Sequence, residues 1–287
     1  GKIIDKTKAS YIKWDMNRQL LGVDRNFNHR YILALYDVLK RIFEKRPEVL
    51  LESCSSGGNR FDLGMACFSP QIWTSDDTDP LERMTTQKNA SYLYPLSMMG
   101  AHVAASPSAQ TLRRTSLPLR FNVAAFGDLG YELDLRKLSK EEKQEISRQI
   151  AFYKAHRPLF QFGSFRRYSP DAQRETFAVS NGTTAIAAVY RRHLRAAPGF
   201  EKLAVRSLPE GTYEISSVEQ HFAGENYGLP VSDLITPKER YLATDKGLAE
   251  GIVLNNVYTA AGYNPDVRVP LDDGSEMYLI SRLEKEE

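Results

Sequence analysis

Cysteine is scarce in this chain: Cys54 and Cys67 are the only two in 287 residues. Two cysteines make no disulfide framework, and without a CxxC or Cys/His cluster there is no zinc signature. The expected compartment is therefore a reducing, cytoplasmic one. Net charge is scarce too, +2 from 38 Lys and Arg against 36 Asp and Glu. The signs are interspersed, which argues against a nucleic-acid binder or a membrane-surface protein. No apolar run approaches the ~20 residues of a membrane span. There is no secretory signal pattern, no internal repeat and no low-complexity tract, and the chain starts at Gly1 instead of Met. What is present is globular, 42% hydrophobic and 26% charged, in a chain long enough for one large domain or two.

The first part alternates strand and helix. In YIKWDMNR, Ile12, Trp14 and Met16 point one way while Lys13, Asp15 and Asn17 point the other. The spacing of Ile32, Leu35, Tyr36, Leu39, Ile42 and Phe43 predicts a helix over 31–46, closed by Pro47. EVLLESCSSGG, PQIWTSDDTD, GAHVAASPS and LGYELDL are short apolar runs, most of which end in small or polar residues. Residues 80–99 read as a second helix interrupted near Pro95. Ser139 and Glu142 form a capping box for a helix that Pro158 is expected to close. This βαβα order argues for a parallel sheet covered by helices, in which the strand C-termini carry the chemistry. After about Gly163 the pattern changes to short strands with turn residues between them. Asn181-Gly182 is a strong hairpin signal, and no helix is expected in this part.

Three polar strand ends are candidate sites. Asp15, two residues from both Lys13 and Asn17, is either on the solvated face of an edge strand or an ionised carboxylate fit to act as a nucleophile. Asp76, Asp77 and Asp79 are clustered, which suits a general acid; the plainer reading is that Ser75 or Asp77 caps the helix starting near Pro80. The cluster could also ligate a hard cation, the signature of a metal-dependent hydrolase. Around Cys54, Ser55 and Ser56, the Gly57-Gly58 pair would let the backbone approach a ligand closely, although Cys54 is equally a small buried residue. His102 reads as a satisfied core histidine.

Taken in order, YIKWDMNR, ESCSSGGNRFDLGM, PQIWTSDDTD, MGAHVAASPSAQTLRRT and GYELDL resemble the microbial α-galactosidases of glycoside hydrolase clan D, family thirty-six. The match runs from about Tyr11 to Gly163 and is fainter beyond. The resemblance implies the C-terminal part of a (β/α)8 TIM barrel, strands four to eight, over residues 1–162, followed by an antiparallel β-sandwich over 163–287. It implies retaining hydrolysis of terminal α-linked galactose, as in melibiose and raffinose, through a galactosyl-enzyme intermediate and with no metal or organic cofactor. Asp15 inherits the role of nucleophile and Asp76 that of acid/base. Lys13 and Asn17 inherit contacts to sugar hydroxyls, and Cys54 and Ser56 line the pocket near the 2-hydroxyl.

Many relatives have glycine where this chain has Ser56. A hydroxymethyl group there narrows the space around the C2 substituent, so an α-N-acetylgalactosaminidase is the alternative activity and the less favoured one. A non-catalytic carbohydrate-binding remnant is a competing class, against which retention of both Asp15 and Asp76 argues. Five strands cannot close an eight-stranded barrel, and the open edges would invite pairing. The expected partners are therefore the α-galactoside substrate, the missing N-terminal portion of the same enzyme in the same or a separate chain, and a second copy in a homo-oligomer. No nucleic acid or membrane is expected.

Overall fold

A computed structural model describes residues 1–18, 24, 26–193, 202–218, 240–253 and 273–284. A short helix, α1 (Lys2–Thr7), precedes strand β1 (Tyr11–Trp14). Then come α2 (Phe27–Phe43), β2 (Leu50–Ser53), α3 (Leu63–Ala66), β3 (Gln71–Trp73), α4 (Pro80–Ala90), β4 (Met99–Ala104), α5 (Leu117–Ala124), β5 (Asp128–Glu132) and α6 (Lys140–Phe162). The five strands form one parallel sheet in sequence order, with Lys13 opposite Glu52, Ser53 opposite Ile72, Trp73 opposite Gly100 and His102 opposite Gly130. All strand C-termini therefore lie along one edge.

The two faces of β1 separate as its alternation predicts. Ile12 and Trp14 pack with Leu35 and Leu39 of α2, Leu51 and Met65, while Lys13, Asp15 and Asn17 are exposed. Helix α2 begins earlier than its apolar spacing predicts, because Phe27 stacks on Tyr31 at 6.3 Å and extends the buried stripe by a turn. Helix α4 ends at Ala90, well short of the expected Met99, which instead opens β4. Pro95 disfavours a helical residue before it, so the chain leaves the helix and re-enters the sheet.

The capping box at Ser139 and Glu142 is formed on both sides. Pro158 does not end α6, which runs on to Phe162. Pro158 is exposed on the outer face, while the two residues after it, Leu159 and Phe160, are buried. Burial of these side chains, at roughly 1.5–3 kcal/mol each, offsets much of the proline penalty.

Helix α5 is buried at every position and packs on β4 and on the strand over Gly274–Arg282. It has no polar face, so no helical period marks it in the sequence. Its polar groups are matched: Arg120 donates to the Ala104 carbonyl, and Asn122 donates to Ser275 Oγ at 2.9 Å.

From Ser164 onward the structure is antiparallel. Strands β6 (Ser164–Tyr168), β7 (Arg174–Ser180), β8 (Thr184–Arg191), β10 (Thr212–Ser217), β11 (Arg240–Thr244) and β13 (Gly274–Arg282) form a six-stranded sheet in the order β11-β10-β13-β8-β7-β6. Strands β9 (Lys202–Leu203) and β12 (Ile252–Val253) form a two-stranded sheet. Asn181 Oδ1 accepts from the amides of Thr183 and Thr184, and Gly182 has φ 96°, so the expected hairpin turn is present.

One correction concerns helix content here. Thr244 caps a short helix, α7 (Asp245–Glu250), whose Leu248 is buried beside Leu203 and Val205. A single buried contact leaves no periodic trace. Of the stretches GIVLNNVYTA and VRVPLDDGSEMYLIS, which read as strands, Ile252–Val253 and Gly274–Arg282 are strands, and residues 254–260 and 267–272 lie outside the described residues.

The central strands of the six-stranded sheet, β7, β8 and β13, are buried on both faces. Phe177, Val179, Ile186 and Tyr190 join α5 and α6 in one core, while Ala178, Ala187, Tyr213 and Ile280 face β9 and α7. No helix among the described residues is long and apolar enough to cross a membrane.

Candidate active site

The inner face of the parallel sheet carries a polar row from strand to strand. Lys13 on β1 reaches Glu52 on β2 at 3.4 Å and lies 4.6 Å over the Trp73 ring at the end of β3. Trp73 packs against His102 on β4, with ring centroids 4.3 Å apart, and His102 Nδ1 meets Glu132 on β5 at 3.1 Å. Of these residues only Lys13 was singled out above as a binder. His102 is indeed satisfied, and burial pushes its imidazole pKa down against the pull of Glu132. Glu52, Trp73 and Glu132 lie in the quoted stretches, but that they face one another becomes visible only when the register aligns them.

Asp15 follows β1 and stays exposed. Asn17 Nδ2 donates to its carboxylate at 2.7 Å. Burial pulls the Asp15 pKa up, but hydrogen bonds from Asn17, the Cys54 thiol and the amides of Met16 and Ser56 outweigh it and hold the carboxyl below the usual range. These donors keep Asp15 ionised, while the Lys13 ammonium is ion-paired with Glu52 at 3.4 Å. Cys54 is buried, and desolvation beside Asp15 raises its thiol to about 11. It is thus a neutral donor at physiological pH.

Asn17 has a second bond. Its Oδ1 accepts from the Ser56 amide at 3.0 Å and from the Ser56 hydroxyl at 3.2 Å. Ser56 has φ 46°, in the left-handed region that favours glycine. The two strand ends are stitched further by Met16 N–H to Cys54 O, Cys54 N–H to Trp14 O, and the buried Arg60, which donates to both carbonyls.

The Gly57-Gly58 pair brings the chain close to protein backbone. A β-carbon on Gly57 (φ 82°) would sit 2.9 Å from Ser75 Cα and 3.1 Å from the Asp76 nitrogen, and one on Gly58 would sit 2.8 Å from the Thr74 carbonyl. The glycines therefore let the loop after β2 lie flat against the loop after β3. This packing brings the Asp15–Cys54–Ser56 group beside Asp76.

The acidic cluster divides its work. Asp79, fully buried, is the helix cap: it accepts from the Leu81 amide at 2.9 Å and pairs with Arg113 at 2.7 Å. It takes the role expected of Ser75 or Asp77. Asp77 accepts from the Asp79 amide at 2.9 Å, a turn contact. Asp76 is exposed, receives the Trp73 indole N–H at 3.0 Å, and has its carbonyl held by Gln110 at 2.7 Å. With two of its three acids spent on turn and cap, the cluster has little left for a cation. Among the described residues no group of three His, Cys, Asp or Glu is arranged to hold a metal ion.

The site therefore has two exposed carboxylates in adjoining loops at one sheet edge. One is held ionised by four donors, and the other is held by an indole. Such a pair can divide nucleophilic and acid/base work.

Residues 1–163 match the family model described as Melibiase. The curated "Alpha-galactosidase Mel36A" of Lactobacillus acidophilus is 40% identical over 237 residues, covering 78% of this chain and 32% of its own length. The chain thus spans about a third of that relative. The crystal structure of the alpha-galactosidase from Lactobacillus brevis superposes with a TM-score of 0.81 at 34% identity, over 100% of this chain and 37% of that one. A variant of the alpha-galactosidase AgaA from Geobacillus stearothermophilus, solved in complex with raffinose, gives 0.79 at 34% identity, over 98% and 37%.

Proposed function

The chain belongs to the Melibiase family, and on that premise we propose that the protein is a retaining α-galactosidase with Asp15 as nucleophile and Asp76 as acid/base. The observation that carries this reading is the pairing of an ionised Asp15 with an exposed Asp76 in adjoining loops at one sheet edge. In the first step an Asp15 oxygen bonds to the anomeric carbon, the glycosidic bond breaks, and the Asp76 proton passes to the leaving oxygen. In the second step water attacks the same carbon, its proton returns to Asp76, and the bond to Asp15 breaks. A retaining enzyme needs the two carboxyls about 5 Å apart when the sugar is bound.

Lys13, Asn17, Cys54 and Ser56 line the galactose side of this pocket in the proposal. The Ser56 hydroxyl, turned onto Asn17, occupies space next to the C2 substituent. That supports galactose over its 2-acetamido analogue. Strands β1 to β5 stand as strands four to eight of a (β/α)8 barrel over residues 1–162, and 163–287 stand as a β-sandwich unit. The open edge at β1 would pair with further strands of the same enzyme, in the same or a separate chain, and the enzyme would work in the cytoplasm.

The test is Asp15→Ala in the full-length protein, assayed on a chromogenic α-galactoside. The expected result is loss of turnover by at least about 10^4-fold, with partial rescue by azide, which fills the nucleophile's place. Activity near wild type removes the assignment.

A further inference from the structure

Trp73 has a contact on every side. It is 3% exposed. The Lys13 ammonium lies 4.6 Å and the Arg83 guanidinium 4.7 Å from its ring centroid. His102 lies against it at 4.3 Å, and a β-carbon on Gly100 would stand 3.1 Å from its Cε3. A ring so enclosed has one orientation, and in it Nε1–H points at Asp76 Oδ1, 3.0 Å away.

The backbone between them is fixed as well. The buried Arg83 donates to the Thr74 hydroxyl at 2.6 Å, to the Ser75 carbonyl at 3.1 Å and to the Gly100 carbonyl. Gln110 holds the Asp76 carbonyl at 2.7 Å. Two cations beside the indole draw density from its ring and polarise the N–H, which strengthens it as a donor. A donor to a carboxylate favours the ionised form.

We propose that Trp73 is a positioning residue for the acid/base: its N–H, 3.0 Å from Asp76 Oδ1, aims the Asp76 carboxylate towards the leaving oxygen. The proposal rests on the reading of Asp76 as acid/base. Nothing in the WTSDDTD motif assigns the tryptophan this role, since a buried tryptophan at a strand end is ordinarily packing.

The test is Trp73→Phe in the full-length enzyme, which keeps an aromatic ring and removes the N–H. The basic limb of the kcat/KM–pH profile should move to higher pH. At neutral pH kcat should fall about tenfold, the weight of one hydrogen bond to a charged group. That loss should appear with a poor leaving group and shrink with an activated aryl leaving group, which needs little protonation. Equal losses on both substrates with an unmoved limb overturn the proposal.

Asp76→Asn separates the two readings. It should abolish the basic limb, and adding W73F to it should change nothing more. A wild-type profile in D76N overturns the acid/base assignment itself. A normal D76N result with an unmoved limb in W73F overturns only the role of Trp73. Should W73F fail to fold, the wild-type enzyme labelled with 15N-tryptophan decides the matter. One indole N–H resonance should titrate with the acid/base and lose that titration in D76N, and its absence ends the proposal.

Discussion

In β8 every residue from Ala185 to Arg191 is buried, whereas β1 leaves Tyr11 and Lys13 exposed and Ile12 and Trp14 half-covered. The two strands belong to two sheets with different surroundings. The antiparallel sheet is sandwiched, with α5 and α6 on one face and β9 and α7 on the other. The parallel sheet has helices on one face and carries the row Lys13, Glu52, Trp73 and His102 on its inner face. A strand covered on both sides can carry only apolar residues and matched polar ones. A strand with one open face can hold a lysine, a carboxylate and an amide in a row. Chemistry therefore gathers on the second kind, and stability on the first.

Mutation of each sheet tests that division. Asp15→Ala carries the largest expected effect on activity, the loss of at least about 10^4-fold in turnover given above, while exposed Asp15 should cost much less stability than a buried aromatic. Phe177→Ala should do the reverse. Phe177 is fully buried between Phe126, Phe165 and Tyr190, so truncation should cost about 3–5 kcal/mol while kcat per folded molecule is unchanged. Denaturant unfolding and active-site titration separate the two quantities. A drop in kcat for F177A at full folding would show that the antiparallel sheet tunes the site.

Asp128 sharpens the comparison, because it lies on the inner face with its ionisation disfavoured. Burial, then the nearby Glu52 charge, raise its pKa to about 7, against the Gln161 amide that donates to it at 2.6 Å. An acid whose folded-state pKa lies above its unfolded value binds a proton more tightly when folded. It leaves stability untouched below about pH 4 and reduces it as pH rises through about 7. Asp128→Asn should therefore stabilise the protein at pH 8 and do little at pH 4. Discounted for its residual hydration, the gain is about 2 kcal/mol. Thermal unfolding at the two pH values checks the sign, and equal gains at both would point to packing instead of charge.

The smallest effect is expected at Ser56. Its positive φ costs roughly 1 kcal/mol relative to glycine, and its hydroxyl bond to Asn17 returns about the same. Ser56→Gly should thus shift stability by less than about 0.5 kcal/mol while easing entry of a 2-acetamido sugar. Relative kcat/KM on the two aryl glycosides is the measurement, and an unchanged ratio would show that the hydroxymethyl group does not guard C2.

Much of this was legible in the chain. Alternation over 11–17 separated the Lys13 and Asp15 face from the Ile12 and Trp14 face, because a pleated strand repeats every two residues. The capping box and the Asn181-Gly182 turn are local hydrogen-bond patterns and needed no tertiary partner. Helix α5 was not legible, since a helix buried on all sides has no polar face to set its period. Nor was the extension of α6 past Pro158, where the burial of Leu159 and Phe160 overrides a local breaker. The candidate-site residues divided in the same way: Asp15, Asn17, Cys54, Ser56 and Asp76 were singled out from their motifs, whereas the parts played by Trp73, Arg60, Arg83 and Gln110 emerge only from contacts between loops.

By itself the sequence determined the strand–helix order, the polar strand ends and the family to which their motifs belong. These follow from short-range periodicity and from residues that are neighbours along the chain. Only the tertiary structure decided which of Asp76, Asp77 and Asp79 is exposed and which are tied up in turn and cap, what holds Asp15 ionised, and which glycines serve loop packing. Each of those answers depends on contacts between different strand ends. Parallel pairing sets Lys13 against Glu52, and the close approach at Gly57 sets Asp76 beside the loop that holds Asp15.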